Sequence, residues 1–549
     1  MTFNLLTATA FPVITRKGDK RSVPFAELAN DGPNAPVEFD YPRADLNMAA
    51  LEFAIGVGTL ALRPTRETDW LRLWRAPPNP DTMREKLTPF LHAFELNGDR
   101  DGPQFQQELG GLNGETTRIE ALLIDSPGVS GQKKNTDLLT HRDRYPALGL
   151  PAAALALYAL QQFAPSGGAG NRTSMRGGGP LTTLVIPGAP NSERPSLWRI
   201  ILANVVARPE NDFDHDDLPK ILPWLAPTLV SDKEHGERVV NEHDPDAHPL
   251  QAFFGMPRRI ALRFGGDGIC PITGYQGSLV EGFVQKPCGV NYGLWQHPLT
   301  PYRRQKEASP PYSAKPKSVR FGYRDWVSVT VGTTEKLLAQ PAAVVRAARQ
   351  GGRREQVRCA ANGADASLRA AGWATSNMEA ISYLSAEQPL HLAASDEAQA
   401  ALDRSAVAFA RAADEAASML VSAVRTALFS EGASPATDRA VFEETRVSFY
   451  ESTETAFHNA LDAMLADGAA QTEVQARDWL TTISRAAATT FDTCVPVPIN
   501  DPEHSQRIAV AFGRLRSGLA GYGPQGRRLF EVLGLAPPKP KTTKKGKTT

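Results

Sequence analysis

The densest group of residues that could bind a ligand lies between Ser166 and Pro180. Six glycines and two arginines fall within these fifteen residues. Glycine allows a backbone to approach a ligand closely and to adopt positive φ angles. Successive free N–H groups can then form a nest for an anion, and arginine offers a forked donor that suits phosphate. The composition therefore suggests a loop that could hold a nucleotide phosphate.

The spacing of this loop does not match the known nucleotide-binding motifs. A Walker A loop needs a lysine directly after its last glycine, whereas Asn171 follows Gly170. A dinucleotide fingerprint follows a strand and opens a helix, but the apolar run Ala152–Phe163 before this loop has a helical pattern. A surface loop between that helix and the β-branched run Thr182–Ile186 is the plainer interpretation.

No other group of residues predicts catalysis or metal binding. The sequence contains no G-x-S-x-G elbow and no H-E-x-x-H pair, and the adjacent Glu443 and Glu444 do not form an evidently buried carboxylate pair. Histidine and aspartate concentrate in Asn211–Asp217 and Glu242–His248, but their spacing fits no helix face and is typical of exposed loops. We therefore expect a protein that is not an enzyme and that has no metal and no cofactor.

The composition of the whole chain is that of an ordinary globular protein with several domains. Its 549 residues contain 60 Lys and Arg and 60 Asp and Glu, a balance that argues against a free-standing nucleic-acid binder. Local basic patches on a subunit of a larger assembly remain compatible with it. The four cysteines include no C-x-x-C pair, and no signal peptide or apolar run of about 18 residues is evident. We therefore expect a cytoplasmic protein with no membrane partner.

Hydrophobic patterning predicts an α+β fold, with a large mixed α/β domain over residues 1–390. A buried helix is expected over Ala49–Leu62. The predicted strands are Phe11–Thr15, a meander of Arg259–Phe264, Gly277–Val284 and Gly289–Gln296, the run Val327–Val331, and a hairpin of Ser367–Trp373 with Ile381–Leu384.

Beyond Pro389 the sequence predicts an antiparallel four-helix bundle over residues 391–535. An apolar stripe recurs every three or four positions along its first helix, at Leu402, Ala406, Phe409, Ala413, Ala416, Leu420, Val424 and Leu428. Further helices are expected from Ser434-Pro435, over Thr472–Cys494, over Pro502–Leu519 and, in short form, around Arg527–Leu533. Residues 536–549 are rich in lysine and predict a disordered tail.

Two basic clusters leave alternatives open. Lys133 and Lys134 lie with Asn135 in a donor-rich loop that could hold a phosphate backbone or could simply be solvated. A second cluster could be a nucleic-acid face or an ordinary helix surface, and it comprises Arg346, Arg349, Arg353 and Arg354.

The glycine-rich stretch also resembles a known family. Phe163-Ala-Pro-Ser-Gly-Gly-Ala-Gly170, followed by Arg176-Gly-Gly-Gly-Pro-Leu-Thr-Thr-Leu-Val185, is similar to the CasA family, the large subunit of the type I-E CRISPR surveillance complex (Cascade). The loop around residue 133, the hairpins at 282–297 and 372–380 and the terminal bundle follow in the family's order.

The resemblance implies a non-catalytic subunit that recognises the protospacer-adjacent motif (PAM) of target double-stranded DNA. Such a subunit promotes duplex opening and R-loop formation and helps recruit the helicase–nuclease for degradation in antiviral defence. The implied partners are the other Cascade subunits, the CRISPR RNA, the target DNA and the helicase–nuclease.

The resemblance also assigns roles to particular residues. It implies PAM contacts from Gly168, Ala169, Gly170 and Asn171 and from Lys286 at a loop tip. It implies a wedge between base pairs at Ser376, Asn377 and Met378, where Asn377 is a shorter amide than the glutamine of some relatives. It implies guide-RNA contacts from Lys133, Lys134 and Asn135. Some relatives carry paired cysteines at the Cys270–Gly274 knuckle, where this sequence has one.

Two functions of other classes stay open from the sequence. The first is a nucleotide-binding enzyme that uses the glycine-rich loop of residues 166–180. The second is a purely structural subunit that binds guide RNA and has no role on DNA.

Overall fold

The computed structural model describes residues 2–99, 101–128, 132–133, 143–165, 167–168, 170–190, 193–317, 320–332, 338–358, 365–376, 379–429, 439–468, 470–496 and 501–539. The chain divides into two compact units. Unit 1 comprises residues 1–318 and 332–390, and unit 2 comprises residues 319–331 and 391–549. Unit 1 mixes helices with strands and unit 2 is helical, which confirms the predicted fold class.

In the described part of unit 1 the strands form four small antiparallel sheets. Their orders are β2–β1–β3, β10–β9–β11, β13–β12–β6 and β4–β8–β5, and β7 pairs with β8 in the last of them. The strands are β1 (Phe11–Thr15), β2 (Lys20–Val23), β3 (Pro36–Phe39), β4 (Thr117–Arg118), β5 (Leu148–Gly149), β6 (Thr182–Ile186), β7 (Arg259–Ile269), β8 (Gln276–Lys286), β9 (Tyr302–Arg304), β10 (Tyr312–Ser313), β11 (Leu338–Gln340), β12 (Ser367–Ser376) and β13 (Glu379–Pro389).

The described α-helices of unit 1 are arranged around one of their number, a central apolar helix. They are α1 (Ala44–Leu62), α2 (Glu67–Arg75), α3 (Pro80–Leu87), α4 (Leu150–Phe163), α5 (Leu197–Ala203), α6 (Leu218–Ile221), α8 (Ala343–Ala348) and α9 (Gly351–Val357). Helix α1 is the central one. It is long and apolar enough to cross a membrane, but 94% of its apolar window is buried in the protein. Its Phe53 ring lies within 6.2 Å of five other aromatic rings, those of Phe11, Phe25, Phe94, Phe105 and Tyr158.

Helix α4 leads directly into the glycine-rich stretch. All fourteen of its residues are buried, so it is a core helix. Its C-cap, Ala164, has extended backbone angles, as expected for a residue that precedes a proline. The chain therefore leaves the core abruptly at Pro165, and the glycine-rich stretch begins at the end of a rigid element.

One predicted strand of the meander is wrong. Residues Gly289–Gln296 contain only an isolated bridge, between Val240 and Tyr292. A Cβ at Gly289 would lie 2.2 Å from the carbonyl oxygen of Pro257. This segment therefore packs backbone against backbone and does not extend the sheet.

The described part of unit 2 contains four long helices, followed by one shorter helix at its C-terminal end. A further short helix comes from residues 319–331. These helices are α7 (Tyr323–Thr330), α10 (Asp396–Leu428), α11 (Arg439–Ala466), α12 (Glu473–Cys494), α13 (Pro502–Leu519) and α14 (Gly523–Val532). The predicted apolar stripe of α10 is buried from Leu402 to Val424, and Leu428 is half-buried. Residues 430–438, with the predicted Ser434-Pro435 helix start, and the tail from 540 onward lie outside the described residues.

The predicted strand Val327–Val331 is wrong, because Val327–Thr330 belong to α7 and Val331 is the C-cap of this helix. The ring of Tyr323 stacks on Phe457 of α11 at 4.4 Å, and Trp326 meets the same ring edge-on at 6.0 Å. Tyr323, Trp326, Val327 and Thr330 are buried at helical spacing. Burial of this face in unit 2 outweighs the strand preference of a valine- and threonine-rich run.

Candidate nucleic-acid interface

The glycine loop, defined here as residues 167–171, is a tight turn after helix α4. Gly168 and Gly170 have φ angles of 65° and 82°, in the left-handed region that favours glycine. The N–H of Asn171 donates to the carbonyl oxygen of Gly168 at 2.8 Å and closes the turn. Ser166 and Ala169 lie outside the described residues.

The three glycines of this loop face different surroundings. A Cβ at Gly167 would lie 2.9 Å from the Arg258 guanidinium, and one at Gly170 would lie 3.1 Å from Pro287. A Cβ at Gly168 would meet no described atom within 4 Å. Gly167 and Gly170 therefore allow the loop to pack closely against the protein, whereas the backbone of Gly168 is exposed to solvent.

The loop packs against the end of strand β8, next to Lys286. The N–H of Cys288 donates to the carbonyl oxygen of Gly170 at 2.9 Å. The Gln285 amide donates to the side-chain oxygen of Asn171 at 2.7 Å. Lys286, between these two contacts in the sequence, is exposed. The structure therefore places the loop of Gly168, Gly170 and Asn171 beside the strand end that carries Lys286, more than a hundred positions later in the sequence.

The expected loop-tip position of Lys286 is wrong. Lys286 is the last residue of β8 and pairs with Arg259 at the base of the β7–β8 hairpin. The turn of this hairpin lies at the other end, where the Cys270 N–H donates to the Tyr275 carbonyl oxygen at 2.8 Å. Lys286 is therefore held by a strand ladder, which restricts its backbone more than a loop would.

Both arginines of the glycine-rich stretch bind within the protein. Arg172 donates to the side-chain and backbone oxygens of Ser231, at 2.9 and 2.6 Å. Arg176 is 3% exposed and forms a 2.6 Å ion pair with Glu52 of α1. Neither is arranged as the forked phosphate donor that the composition suggests.

The Glu52–Arg176 pair belongs to a buried polar cluster beneath the stretch. Burial raises the pKa of Glu52, while the positive charge of Arg176 acts in the opposite direction. Burial and the charge of Arg176 lower the pKa of His297 well below its ordinary value, so this histidine is neutral at pH 7. Arg176 also donates to Thr182 and Thr300, at 3.1 and 3.2 Å. The cluster fixes the stretch to α1 and β6.

The second group of glycines, Gly177–Gly179, contacts the β12–β13 hairpin. A Cβ at Gly179 would lie 2.7 Å from the Trp373 carbonyl oxygen. On the hairpin side, a Cβ at Gly372 would lie 2.5 Å from the carbonyl oxygen of Pro180. The stretch therefore touches the end of β8 through its first glycines and the middle of β12 through its last ones.

The tip of the β12–β13 hairpin carries the residues expected to act as a wedge. Ser376 is exposed and pairs with Glu379. The pairing register shifts between Ala374 and Thr375, which bends the hairpin just before its tip. Asn377 and Met378 lie outside the described residues.

Of the expected guide-RNA contacts, only Lys133 is described, and it is exposed. Lys134 and Asn135 lie outside the described residues. The other basic cluster is largely internal. Arg353 is 1% exposed, pairs with Glu67 at 3.0 Å and lies 3.9 Å from the centre of the Trp70 ring. Arg349 and Arg354 are also buried, which removes the nucleic-acid face as an interpretation of this cluster.

The cysteine knuckle forms the turn between β7 and β8. Cys270 is buried there, and Cys288 lies beside the glycine loop at a positive φ of 60°. Among the described residues there is no group of three or more His, Cys, Asp or Glu side chains that could hold a metal ion.

Sequence reasoning missed Arg258, which lies directly beneath the glycine loop. Its guanidinium donates to the carbonyl oxygens of Pro165 and Arg172, at 2.6 and 2.9 Å. Its neighbour in sequence, Arg259, forms a partly buried ion pair with Glu108 at 2.7 Å. No sequence pattern distinguishes these two arginines, because their difference arises only from the tertiary fold.

The combination of a mixed α/β unit and a helical unit is also the fold of several solved CRISPR-associated proteins. A CRISPR-associated protein from Thermus thermophilus is 17% identical, with a TM-score of 0.66 over 94% of this chain and 100% of its own. Cse1 from Acidimicrobium ferrooxidans is also 17% identical, with a TM-score of 0.64 over 97% and 99%. A chain of a structure described as a CRISPR RNA-guided surveillance complex is 14% identical, with a TM-score of 0.67 over 94% and 99%.

The sequence model of CRISPR-associated protein Cse1 matches residues 4–490. The chain therefore belongs to the Cse1 family, also called CasA. This membership confirms the resemblance given by the glycine-rich stretch.

Proposed function

We propose that this protein is a non-catalytic subunit of a type I-E CRISPR RNA-guided surveillance complex, and that it recognises the PAM of target double-stranded DNA. One observation carries the proposal. The exposed backbone of Gly168 belongs to a loop that is joined, through Gly170 and Asn171, to Cys288 and Gln285, and these two residues flank the exposed Lys286 in the sequence. Family membership and the likeness to a surveillance-complex chain support the same role.

These groups suit recognition from the minor groove of DNA. The minor groove is narrow, so a backbone without side chains can approach the base edges more closely than a substituted one. It also presents few distinguishing donors and acceptors, which fits a reader that accepts several motifs. Lys286 supplies a positive charge for the phosphates or the groove. Guide-RNA pairing then provides the remaining sequence specificity.

The β12–β13 hairpin is proposed to open the duplex beside the motif. Its tip, Ser376 with Asn377 and Met378, would enter the stack and separate one base-pair step, which costs a few kcal/mol. Contacts of Gly179 and Pro180 with the middle of strand β12 tie the hairpin to the glycine-rich stretch. Motif binding and duplex opening would thus occur side by side.

The remaining parts of the proposal concern partners. Lys133, Lys134 and Asn135 are proposed to contact the guide RNA. The helical unit is proposed to contact displaced or flanking DNA and to help recruit the helicase–nuclease, which degrades the target in antiviral defence. The proposed compartment is the cytoplasm. A nucleotide-binding enzyme is less favoured, because Arg172 and Arg176 bind inside the protein.

The first test is duplex binding by the reconstituted guide-RNA complex, with and without this subunit, at fixed salt. The DNA duplexes differ only in the adjacent motif. We expect discrimination between them only when the subunit is present, and we expect Lys286→Ala to weaken it. Lys20→Ala, which removes an exposed lysine paired with Asp40, is the matched charge control. Equal binding with and without the subunit would overturn the motif-reader assignment.

The wedge is tested separately by placing a fluorescent base analogue in the first pairs beside the motif. Replacing Asn377 and Met378 together by glycine should slow duplex opening while initial motif binding persists. Unchanged opening in this double variant would remove the hairpin from the proposal and leave motif recognition to stand alone.

A further inference from the structure

Arg258 spans the two ends of the glycine loop. Its Nη2 donates to the carbonyl oxygen of Pro165 at 2.6 Å, just before the loop. Its Nε donates to the carbonyl oxygen of Arg172 at 2.9 Å, just after the loop. A Cβ at Gly167 would lie 2.9 Å from Nη1, so the loop backbone also lies close to the guanidinium. One side chain therefore holds both ends of the loop and lies close to Gly167 between them.

The backbone of Arg258 is itself fixed to the core helix α4. Its N–H donates to the side-chain oxygen of Gln161 at 3.0 Å, and the Gln161 amide donates back to the Arg258 carbonyl oxygen at 2.9 Å. Gln161 is fully buried. The loop is therefore clamped to the same helix from which it emerges, through a second, non-local path.

Arg258 differs from Arg176 of the glycine-rich stretch in its charge environment. It is 6% exposed, and within the described part of the chain it has no carboxylate partner. Arg176, by contrast, is neutralised by Glu52. Burial lowers the pKa of Arg258 to about 10, which still leaves the guanidinium protonated at neutral pH. A buried positive charge thus lies directly beneath the loop, and none of the described carboxylates neutralises it.

We propose that Arg258 is a positioning residue for the PAM reader: it holds the glycine loop in its binding shape and gives the loop backbone a positive potential. This inference rests on the proposed function. Burying an unpaired charge is unfavourable, and two carbonyl groups could be held by a neutral donor without this cost. A DNA groove facing Gly168 would supply the missing negative charge.

The experiment compares three variants in the reconstituted complex. Arg258→Met keeps the length of the side chain but loses the charge and both hydrogen bonds. Arg258→Lys keeps the charge but, as a point donor, cannot form the same planar clamp. Arg353→Met is the matched control, because it removes another buried arginine of unit 1 that contacts Glu67 and Trp70. The readouts are motif discrimination, the salt dependence of duplex binding and hydrogen exchange at residues 167–172.

We expect Arg258→Met to lose about tenfold or more in affinity for the duplex that carries the motif, as befits the loss of two hydrogen bonds from a charged donor. Affinity for a motif-free duplex should change little. The affinity of Arg258→Lys for the duplex that carries the motif should lie between that of Arg258→Met and that of the natural protein. Exchange at residues 167–172 should accelerate in Arg258→Met and stay unchanged in Arg353→Met.

The salt dependence distinguishes positioning from direct contact. A lysine that touches phosphate contributes about one unit to the slope of log affinity against log salt, and Lys286→Ala should remove it if Lys286 binds phosphate. Arg258→Met should keep the natural slope, because the buried guanidinium releases no counterion. A reduced slope in Arg258→Met would show direct contact and overturn the positioning role.

Failure of this inference can be told from failure of the proposed function. If Lys286→Ala reduces discrimination but a folded Arg258→Met does not, only the role of Arg258 is wrong. An equal loss of discrimination in Arg353→Met would also overturn it, because the effect would then be general destabilisation. If the subunit itself adds no discrimination, the proposed function is wrong and this inference falls with it.

Discussion

The Gln285 side chain donates a 2.7 Å hydrogen bond to the side-chain oxygen of Asn171. This bond joins the end of a strand to a loop that lies 114 positions earlier in the sequence. Both residues are half-buried, so the bond is partly shielded from water. It connects the groups on either side of the proposed interface, Lys286 on the strand and Gly168 on the loop.

A double-mutant cycle should measure this connection. We expect Gln285→Ala and Asn171→Ala to show a coupling free energy of about 1 kcal/mol in the unfolding of the subunit, as for a neutral hydrogen bond with partial burial. Denaturant unfolding of the two single variants and the double variant provides the measurement. Strictly additive effects would mean that the bond does not contribute in solution.

The Glu52–Arg176 ion pair should be essential for stability. Both side chains are almost completely buried, so Glu52→Gln would leave the Arg176 charge without a partner and should cost about 3–5 kcal/mol of unfolding free energy. Glu38→Gln is the control, since Glu38 forms an exposed pair with Arg194 and should cost less than about 1 kcal/mol. Urea unfolding gives both values, and similar small losses would contradict the prediction.

The helical unit was predictable because its signal is local. The stripe from Leu402 to Val424 repeats at helical spacing within one segment, and Thr472 caps its helix by accepting a hydrogen bond from the Gln475 N–H at 3.2 Å. The strand prediction for Val327–Val331 was wrong for the opposite reason. The β-branched residues of this run favour a strand, but their burial against α11 depends on a fold that the run alone does not contain.

The candidate site was only partly predictable. Glycine content marked the loop, and the family resemblance marked Lys286. The sequence offered one indirect signal for the buried cluster, a single glutamate, Glu52, inside an apolar helix. Arg258 gave no such signal, because the sequence does not distinguish an arginine that holds a loop from one that forms an ion pair with a carboxylate. Contacts between distant segments decide which is which.

His458 should make the stability of unit 2 depend on pH. Its Nδ1 lies 2.9 Å from Nε2 of His391, whose Nδ1 lies 3.0 Å from the Asp462 carboxylate. Burial, together with His391, lowers the pKa of His458 to about 4. The ring is therefore neutral in the folded protein but becomes protonated in the unfolded chain below about pH 6.5. Unfolding then takes up a proton, and stability falls as the pH decreases from about 6.5 to 4.

Between pH 7 and pH 5 this linkage corresponds to about 2 kcal/mol. His458→Gln, whose amide can still meet His391, should show a pH dependence smaller by that amount. Urea unfolding of both proteins at the two pH values, at constant salt, is the measurement. The same pH dependence in both proteins would mean that His458 titrates normally in the fold.

The Gly168→Ala variant should distinguish an effect of the loop on DNA binding from an effect of backbone strain on stability. At a φ of 65° an alanine costs about 1–2 kcal/mol, although its Cβ would meet no described atom within 4 Å. Gly18 provides a matched control. It has a φ of 90°, its Cβ would likewise meet no described atom, and it lies in the turn between β1 and β2.

Gly18→Ala and Gly168→Ala should therefore lose similar amounts of unfolding free energy. Only Gly168→Ala should also weaken binding of the motif-bearing duplex, because its methyl group projects from the face that is proposed to approach the groove. Thermal unfolding and duplex binding by the assembled complex give the two values for each variant. If both variants bind DNA equally well, the open face of Gly168 is not the surface that reads the motif. The close approach would then have to come from other backbone of the glycine-rich stretch.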